Sequence, residues 1–221
     1  MRGTPAAVLF DLDGTLIDSA PDLAGAGNEL RVARGLSPLP YEAFRPMVGS
    51  GARGMVGIAQ QLGPADSDFP AARDEFLRRY EARMTRETRV FGEVPLLLQN
   101  LGRHGIPWGI VTNKAARFAE PVVRSLGLDR TAAALVCGDT TPQAKPHPAP
   151  LLEAARRVGV DASDCIYVGD DLRDVQAGRA AAMGTVVAAW GYLGLGDAIE
   201  AWGADHIIQS PPDLLNLWAM A

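Results

Sequence analysis

Cysteine is scarce in this chain. The two present, Cys137 and Cys165, each sit in an apolar stretch, ALVCG and DCIYVG. A disulfide framework needs more cysteines, and a zinc site needs partners at short spacing. Two buried thiols in a reducing cytoplasm are therefore expected. Histidine offers no alternative, because His104, His147 and His206 lack metal-ligand spacing. Long hydrophobic runs are missing as well. The longest uncharged stretch, residues 180–196, holds Gly184, Gly191, Gly194 and Gly196 and is just short of a typical membrane span. It reads better as a buried strand, TVVAAW, followed by a glycine-rich turn. The opening MRGTPAAVLFDLDG has a short apolar run that ends in acid, which is not the pattern of a signal peptide. Excess positive charge is absent too: 21 Lys and Arg face 26 Asp and Glu, a formal net charge of −5. Duplex nucleic acid needs a basic stripe, so it is not an expected partner, and neither is a membrane. A small anionic ligand needs only a few cations in one cleft.

What is present is ordinary globular composition, with 48% hydrophobic and 21% charged residues in 221. That length suffices for one good-sized domain and a smaller insert. AAVLF, at residues 6–10, is apolar throughout and ends abruptly in acid, as a strand buried on both faces does. Similar strands are expected at 106–111, 134–138, 165–169, 185–190 and 204–208. Helical patterns separate them. KAARFAEPVVRSLG, at 114–127, contains Pro121 as a possible kink and stops at Gly127; HPAPLLEAARRVGV and DLRDVQAGRAAAMG also read as helices. Alternating strands and helices predict an α/β fold, a Rossmann-like doubly wound parallel sheet with helices on both faces. Residues 18–84 break the rhythm with amphipathic segments such as APDLAGAGNELRVARG and FPAARDEFLRRYEARM. They predict a helical insert after the first strand, with residues 1–17 and 85–221 forming the core.

Ligands of open parallel sheets bind beyond the carboxyl ends of the strands. Following each expected strand there, the chain places Asp11, Asp13, Thr112, Asn113, Lys114, Lys145, Asp170, Asp171 and Asp174 at one edge. Crowded carboxylates need a cation to stay ionised, and an all-oxygen set calls for a hard one, Mg²⁺. Mg²⁺ binds through one or two carboxylates and substrate phosphate, while lysine and hydroxyl suit the remaining phosphate oxygens. This is equipment for phosphoryl transfer. Taken alone, each piece has a plainer reading: Asp171, Arg173 and Asp174 also fit the capped start of a helix.

DLDGTLID, VTNK, KPHP and GDDLRD, in that order, resemble the four signature motifs of the haloacid-dehalogenase superfamily. The insert resembles the cap of its phosphoglycolate-phosphatase-like branch, and the likeness covers nearly the whole chain. The resemblance implies a Mg²⁺-dependent phosphatase. Asp11 is then the nucleophile that forms an aspartyl-phosphate, and Asp13 the general acid and base. Thr112 and Lys145 hold phosphoryl oxygens. Asp11, the Asp13 carbonyl and Asp170 ligate the metal, Asp174 lies close behind, and Asn113 and Asp171 support them. An acid at position 13 matches phosphatases and phosphomutases. GSGARGMV, WGIVTNKAARFAEPVVRSLGL, VGDDLRDVQAGR, WGY and WGAD further resemble bacterial N-acetylmuramic acid 6-phosphate phosphatases of peptidoglycan recycling. The expected substrate is that ester, with 2-phosphoglycolate as the alternative. A β-phosphoglucomutase-like mutase and a non-catalytic sugar-phosphate binder are further alternatives.

Gly49-Ser50-Gly51-Ala52-Arg53-Gly54 matches the dinucleotide pattern G-x-G-x-x-G, but Pro46 and the helical surroundings argue against a strand before it. A turn into the helix GMVGIAQQL is expected instead, with Arg53 as the residue that selects the substrate's carboxylate. The protein is expected to act as a monomer or homodimer on a small phosphorylated substrate.

Overall fold

In the computed structural model, which describes residues 3–219, the apolar runs become short strands with a helix between most of them. In chain order the elements are β1 (Ala7–Phe10), β2 (Ile17–Asp18), α1 (Ala20–Ala33), α2 (Tyr41–Phe44), α3 (Gly51–Gln60), α4 (Phe69–Glu81), β3 (Arg89–Val90), α5 (Val94–Arg103), β4 (Trp108–Val111), α6 (Ala116–Ser125), β5 (Ala134–Val136), α7 (Ala149–Val158), β6 (Cys165–Gly169), α8 (Leu172–Ala180), β7 (Gly184–Ala188), β8 (His206–Ile208) and α9 (Asp213–Ala219).

Six strands form one parallel sheet in the order β5-β4-β1-β6-β7-β8. This is the expected α/β class. All four residues of β1 are buried, as a central strand covered on both faces requires. The chain builds outward from β1 in both directions, to β4 on one side and β6 on the other. The sheet's topological switch point therefore lies at the carboxyl end of β1, where a crevice opens. Asp11, Thr112 and Asp170 follow directly on β1, β4 and β6, so sheet order alone makes them neighbours.

Helix ends follow local chemistry. Asp171 caps α8 and accepts from Arg173 N, while the Asp174 side chain returns to Asp171 N in a capping box. Gly127, past the end of α6, has φ +70°, a conformation that favours glycine. Pro121 lies inside α6 without ending it. It only removes the donor that the Arg117 carbonyl would otherwise have.

Residues between β2 and β3 carry α1 to α4, with α1 packed on α3 and α4. β2 and β3 pair antiparallel, Ile17 with Val90 and Asp18 with Arg89, so the chain leaves and re-enters the core side by side. The buried Asp22 carboxylate on α1 reinforces this neck. It accepts from Glu87 N (3.0 Å), Thr88 N (2.9 Å) and Thr88 Oγ1 (2.8 Å). The chain re-enters the core through β3, a two-residue strand with no readable periodicity. One apolar cluster joins Val8 and Phe10 of the sheet to Leu30, Met55 and Phe76 of the inserted helices. Among the described residues, no helix is long and apolar enough to cross a membrane.

Candidate active site

A cleft of about 640 Å³ lies between the sheet's carboxyl edge and the inserted helices. Asp11, Asp13, Thr112, Asn113, Lys114, Lys145, Asp170, Asp171 and Asp174 all line it. A larger groove, about 810 Å³, runs beside α5 past Leu98, Ile106 and Trp108. No charged side chain lines that groove, so it lacks the means for acid, base or phosphate chemistry.

Lys145 is the hub of the cleft. Its ammonium is buried and lies 2.8 Å from Asp11 Oδ1 and 2.8 Å from Asp174 Oδ1. It also donates to the Val111 carbonyl (3.0 Å) and the Tyr167 hydroxyl (2.8 Å). Burial works against this charge, but Asp11 and Asp174 more than restore it and raise its pKa above the ordinary lysine range. Asn113 fixes the lysine's backbone from both sides. Its amide donates to Lys145 O (3.0 Å), and its carbonyl accepts from Lys145 N (2.9 Å). Thr112 Oγ1 accepts from Lys114 N (3.1 Å), which leaves its own proton for a guest in the cleft.

Three carboxylates crowd beside this lysine. One oxygen each from Asp11, Asp170 and Asp174 lies within 4.8 Å of the others. Asp170 accepts from Thr15 Oγ1 (3.0 Å) and Tyr192 N (2.8 Å). Asp174 meets Lys145 and Asp171 N, so its oxygens are also engaged. Asp11 Oδ1 is different, since it is buried and no donor is aligned for a hydrogen bond to it. Burial raises the Asp11 pKa to about 7, with Lys145 opposing and Asp174 adding to the rise. Asp170 is also raised well above the carboxylate range, by burial and then by Asp11 and Asp174. An under-coordinated oxygen among desolvated carboxylates fits a small divalent cation, which would relieve both the repulsion and the desolvation.

Gly14 and Gly191 make room for this cluster. A methyl group on either would overlap the Asp170 carboxylate, and Gly14 also has φ +90°. The glycine of DLDG is thus a space requirement as well as a turn.

Asp13 sits apart from the three. Lys114 Nζ contacts its two oxygens at 2.9 and 3.0 Å, and Ser19 Oγ donates to it. Lys114 also lies 4.8 Å from the Tyr80 ring centroid, so it touches both Asp13 and the inserted helices. Asp171 turns away from the carboxylate cluster, toward Arg173 (2.8 Å). Arg173 in turn donates to Gly49 O of the insert. Asp170 and Asp174 face Asp11, whereas Asp171 caps α8 and orients an arginine.

Arg53 does not line the cleft. It is exposed on the first turn of α3, and the wall from that stretch is Val48, Gly49, Ser50, Gly51 and Ala52. The helix phase turns its side chain outward, which sequence periodicity leaves open when the packing partner is unknown. The arginines that do line the cleft are Arg117 and Arg173. Sequence reasoning also missed Thr15, Ser19, Tyr80, Tyr167 and Tyr192. Thr15 and Ser19 lie within or just after DLDGTLID, so their place in that motif was a usable signal. The tyrosines come from distant segments and carry no spacing signal.

A family model described as haloacid dehalogenase-like hydrolase matches residues 5–182. A phosphoglycolate phosphatase of Xanthomonas campestris pv. campestris is 46% identical over 95% of this chain and 95% of its own. An N-acetylmuramic acid 6-phosphate phosphatase of Pseudomonas aeruginosa is 40% identical over 96% of this chain and 93% of its own. The crystal structure of a predicted phosphoglycolate phosphatase from Haemophilus somnus superposes with a TM-score of 0.84 at 26% identity, covering 96% of this chain and 97% of that one.

Proposed function

Because the chain belongs to the haloacid dehalogenase-like hydrolases, we propose that it is a phosphatase that cleaves a small phosphomonoester through a covalent phosphate on Asp11. The observation that carries this reading is the Asp11 carboxylate itself. Its buried Oδ1 is paired with the fixed Lys145 ammonium at 2.8 Å, in a cleft open to ligand.

In the first half-reaction, Asp11 attacks phosphorus and the ester oxygen leaves. Asp13 supplies the proton that this oxygen needs, and Ser19 and Lys114 hold its carboxyl in position. Lys145 and the free Thr112 proton take the non-bridging oxygens. In the second half-reaction, Asp13 accepts a proton from water as that water attacks the phosphorylated Asp11. The insert, as a cap over residues 18–84 on a core of residues 1–17 and 85–221, excludes bulk water in the first step.

The residues that would hold a divalent cation are Asp11, Asp170 and the Asp13 carbonyl, with Asp174 behind them; we assign it as Mg²⁺. When bound, it supplies charge neutralisation for the carboxylates and the phosphoryl group. The two buried thiols support a reducing, cytoplasmic setting.

The names of the relatives offer two substrates, 2-phosphoglycolate and N-acetylmuramic acid 6-phosphate. We favour the second. A cleft of about 640 Å³ with apolar walls suits a ligand larger than a two-carbon acid. The test is phosphate release by the purified protein with Mg²⁺ on both esters, glucose phosphates and a nucleotide monophosphate, compared as kcat/KM. Preference for the muramic acid ester is expected. Preference for 2-phosphoglycolate would reverse the choice of substrate. Isomer formation without phosphate release would indicate a mutase, and binding without turnover a silent binder.

A further inference from the structure

The phosphoryl chemistry uses the carboxylates, Lys145 and Thr112. The wall where Tyr80 of α4 meets Phe118 of α6 adjoins them through Lys114 and takes no direct part in the steps above. Four cations line the whole cleft: Lys114, Arg117, Lys145 and Arg173. Three are neutralised by carboxylates: Lys114 by Asp13 (2.9 Å), Lys145 by Asp11 and Asp174 (2.8 Å each) and Arg173 by Asp171 (2.8 Å). Among the described residues, Arg117 alone of the four has no carboxylate within ion-pair distance. Arg117 is exposed, as Arg53 is, but it lines the cleft, and its guanidinium lies 4.3 Å from the Phe118 ring centroid.

A second, independent feature adjoins it. Tyr80 of α4 is 2% exposed, and its buried hydroxyl lies beside the Lys114 ammonium without an aligned hydrogen bond. The ring is fixed on both sides, stacked on Phe76 (6.4 Å, 5°) and tilted against Phe118 (5.6 Å, 55°). Phe118 therefore touches both the Arg117 guanidinium and the Tyr80 ring. A polar group of a ligand would complete the hydrogen bonding of the buried Tyr80 hydroxyl. Between these polar groups the wall is apolar, formed by Leu23, Phe76, Leu77 and Phe118.

We infer that Arg117 and Tyr80 form the recognition site for the alcohol half of the substrate. Arg117 pairs with a carboxylate remote from phosphorus, and the Tyr80 hydroxyl bonds to an oxygen of the carbon skeleton, which lies along the apolar wall. The substrate class is a phosphomonoester of a sugar-sized alcohol that carries a carboxylate. This assignment rests on the phosphatase reading, which places the phosphoryl group at Asp11 and Lys145. A two-carbon phosphoacid holds its carboxylate beside the ester carbon and leaves the apolar wall uncovered. The selecting arginine thus stands on the core, directly after the Thr112 loop, and not on α3.

Binding separates this inference from turnover. In the Asp11→Asn protein with Mg²⁺, calorimetry would compare N-acetylmuramic acid 6-phosphate with N-acetylglucosamine 6-phosphate, which lacks the 3-O-lactyl ether and with it the carboxylate. The carboxylated ester is expected to bind about tenfold tighter or better, the scale of a charge-assisted contact. Adding Arg117→Ala should bring that ratio close to one, and Arg117→Lys should restore part of it. Tyr80→Phe should weaken both esters several-fold with the ratio kept. A missing preference, a preference that survives Arg117→Ala, or binding of neither ester overturns the inference. Phosphate release by the unmutated protein reports on the phosphatase reading separately. Its failure alongside an Arg117-dependent binding preference would remove the hydrolase and leave the recognition site.

Discussion

In the proposed reaction Asp11 must be ionised to attack, yet burial works against its charge. Its carboxyl is raised to about 7 by burial, whereas in the unfolded chain it titrates near about 4. Between those values the folded, metal-free protein holds a proton that the unfolded chain has lost. The stability this contributes is therefore present at low pH and lost as the pH rises through about 7. Mg²⁺ favours the ionised form and offsets the loss. The increase in Tm caused by Mg²⁺ should thus grow from about pH 5 to about pH 7.5, and Asp11→Asn should flatten that growth. A pH-independent increment in the unmutated protein would count against Asp11. The same substitution should lower turnover by more than about 10³-fold while the protein stays folded, as circular dichroism and phosphate release would show. Gly14→Ala meets both an unfavourable φ and the Asp170 carboxylate. It should cost about 1–3 kcal/mol in urea unfolding and depress Mg²⁺ affinity as well.

The decisive element is one of the smallest. The β2–β3 ribbon is only two residues long in each strand, yet it joins the insert to the core. Its rigidity comes largely from Asp22, whose carboxylate gathers the Glu87 and Thr88 donors and lies 3.4 Å from Arg83 Nε. Asp22→Ala leaves these buried donors unpaired and should destabilise by about 3 kcal/mol or more, measured by urea unfolding. Tyr192 plays a related part at the start of α1. Its hydroxyl accepts from Ser19 N (2.8 Å) and Ala20 N (3.0 Å) and donates to Asp18 (2.9 Å). The longer elements were readable. The strands of the sheet are apolar and bounded by turn residues, and α1, α3, α4, α6, α7 and α8 carry helical periodicity. The ribbon and the four-residue α2 are too short to show a period, whereas α5, VPLLLQNLGR, carries a clear one that the sequence reading passed over.

Across the whole molecule, insert and core are joined over the cleft by two arginines that work in opposite directions. Arg45 of the insert donates to Trp190 O (3.3 Å) and Gly191 O (2.9 Å) and lies over the Tyr192 ring. Arg173 of the core donates to Gly49 O of the insert. Neither touches the Asp11–Asp170–Asp174 cluster. Arg45→Ala should therefore raise KM several-fold through weaker closure, while Tm moves by only a few degrees. Steady-state kinetics beside thermal unfolding would test this, and a collapse of Tm would mean that Arg45 holds the fold itself together.

The sequence by itself determined the fold class and brought the acids and lysines that follow the strands to one edge of the sheet. Strand ends in a parallel sheet are local features, and Asp11, Asp13, Thr112, Lys145, Asp170 and Asp174 all follow strands or stand in short motifs. Tertiary structure decided what those residues face. Asp171 and Asp174 are close in sequence and point to different partners, because one caps α8 and the other is drawn in by Lys145. Arg53 and Arg117 were indistinguishable as charges on helices until packing set the phase of each helix. Tyr80 reached the cleft only when the insert settled on the core. Motifs survive as strings because the backbone presents them in order, whereas side-chain pairing across long stretches of chain is fixed only by how the helices and the sheet pack.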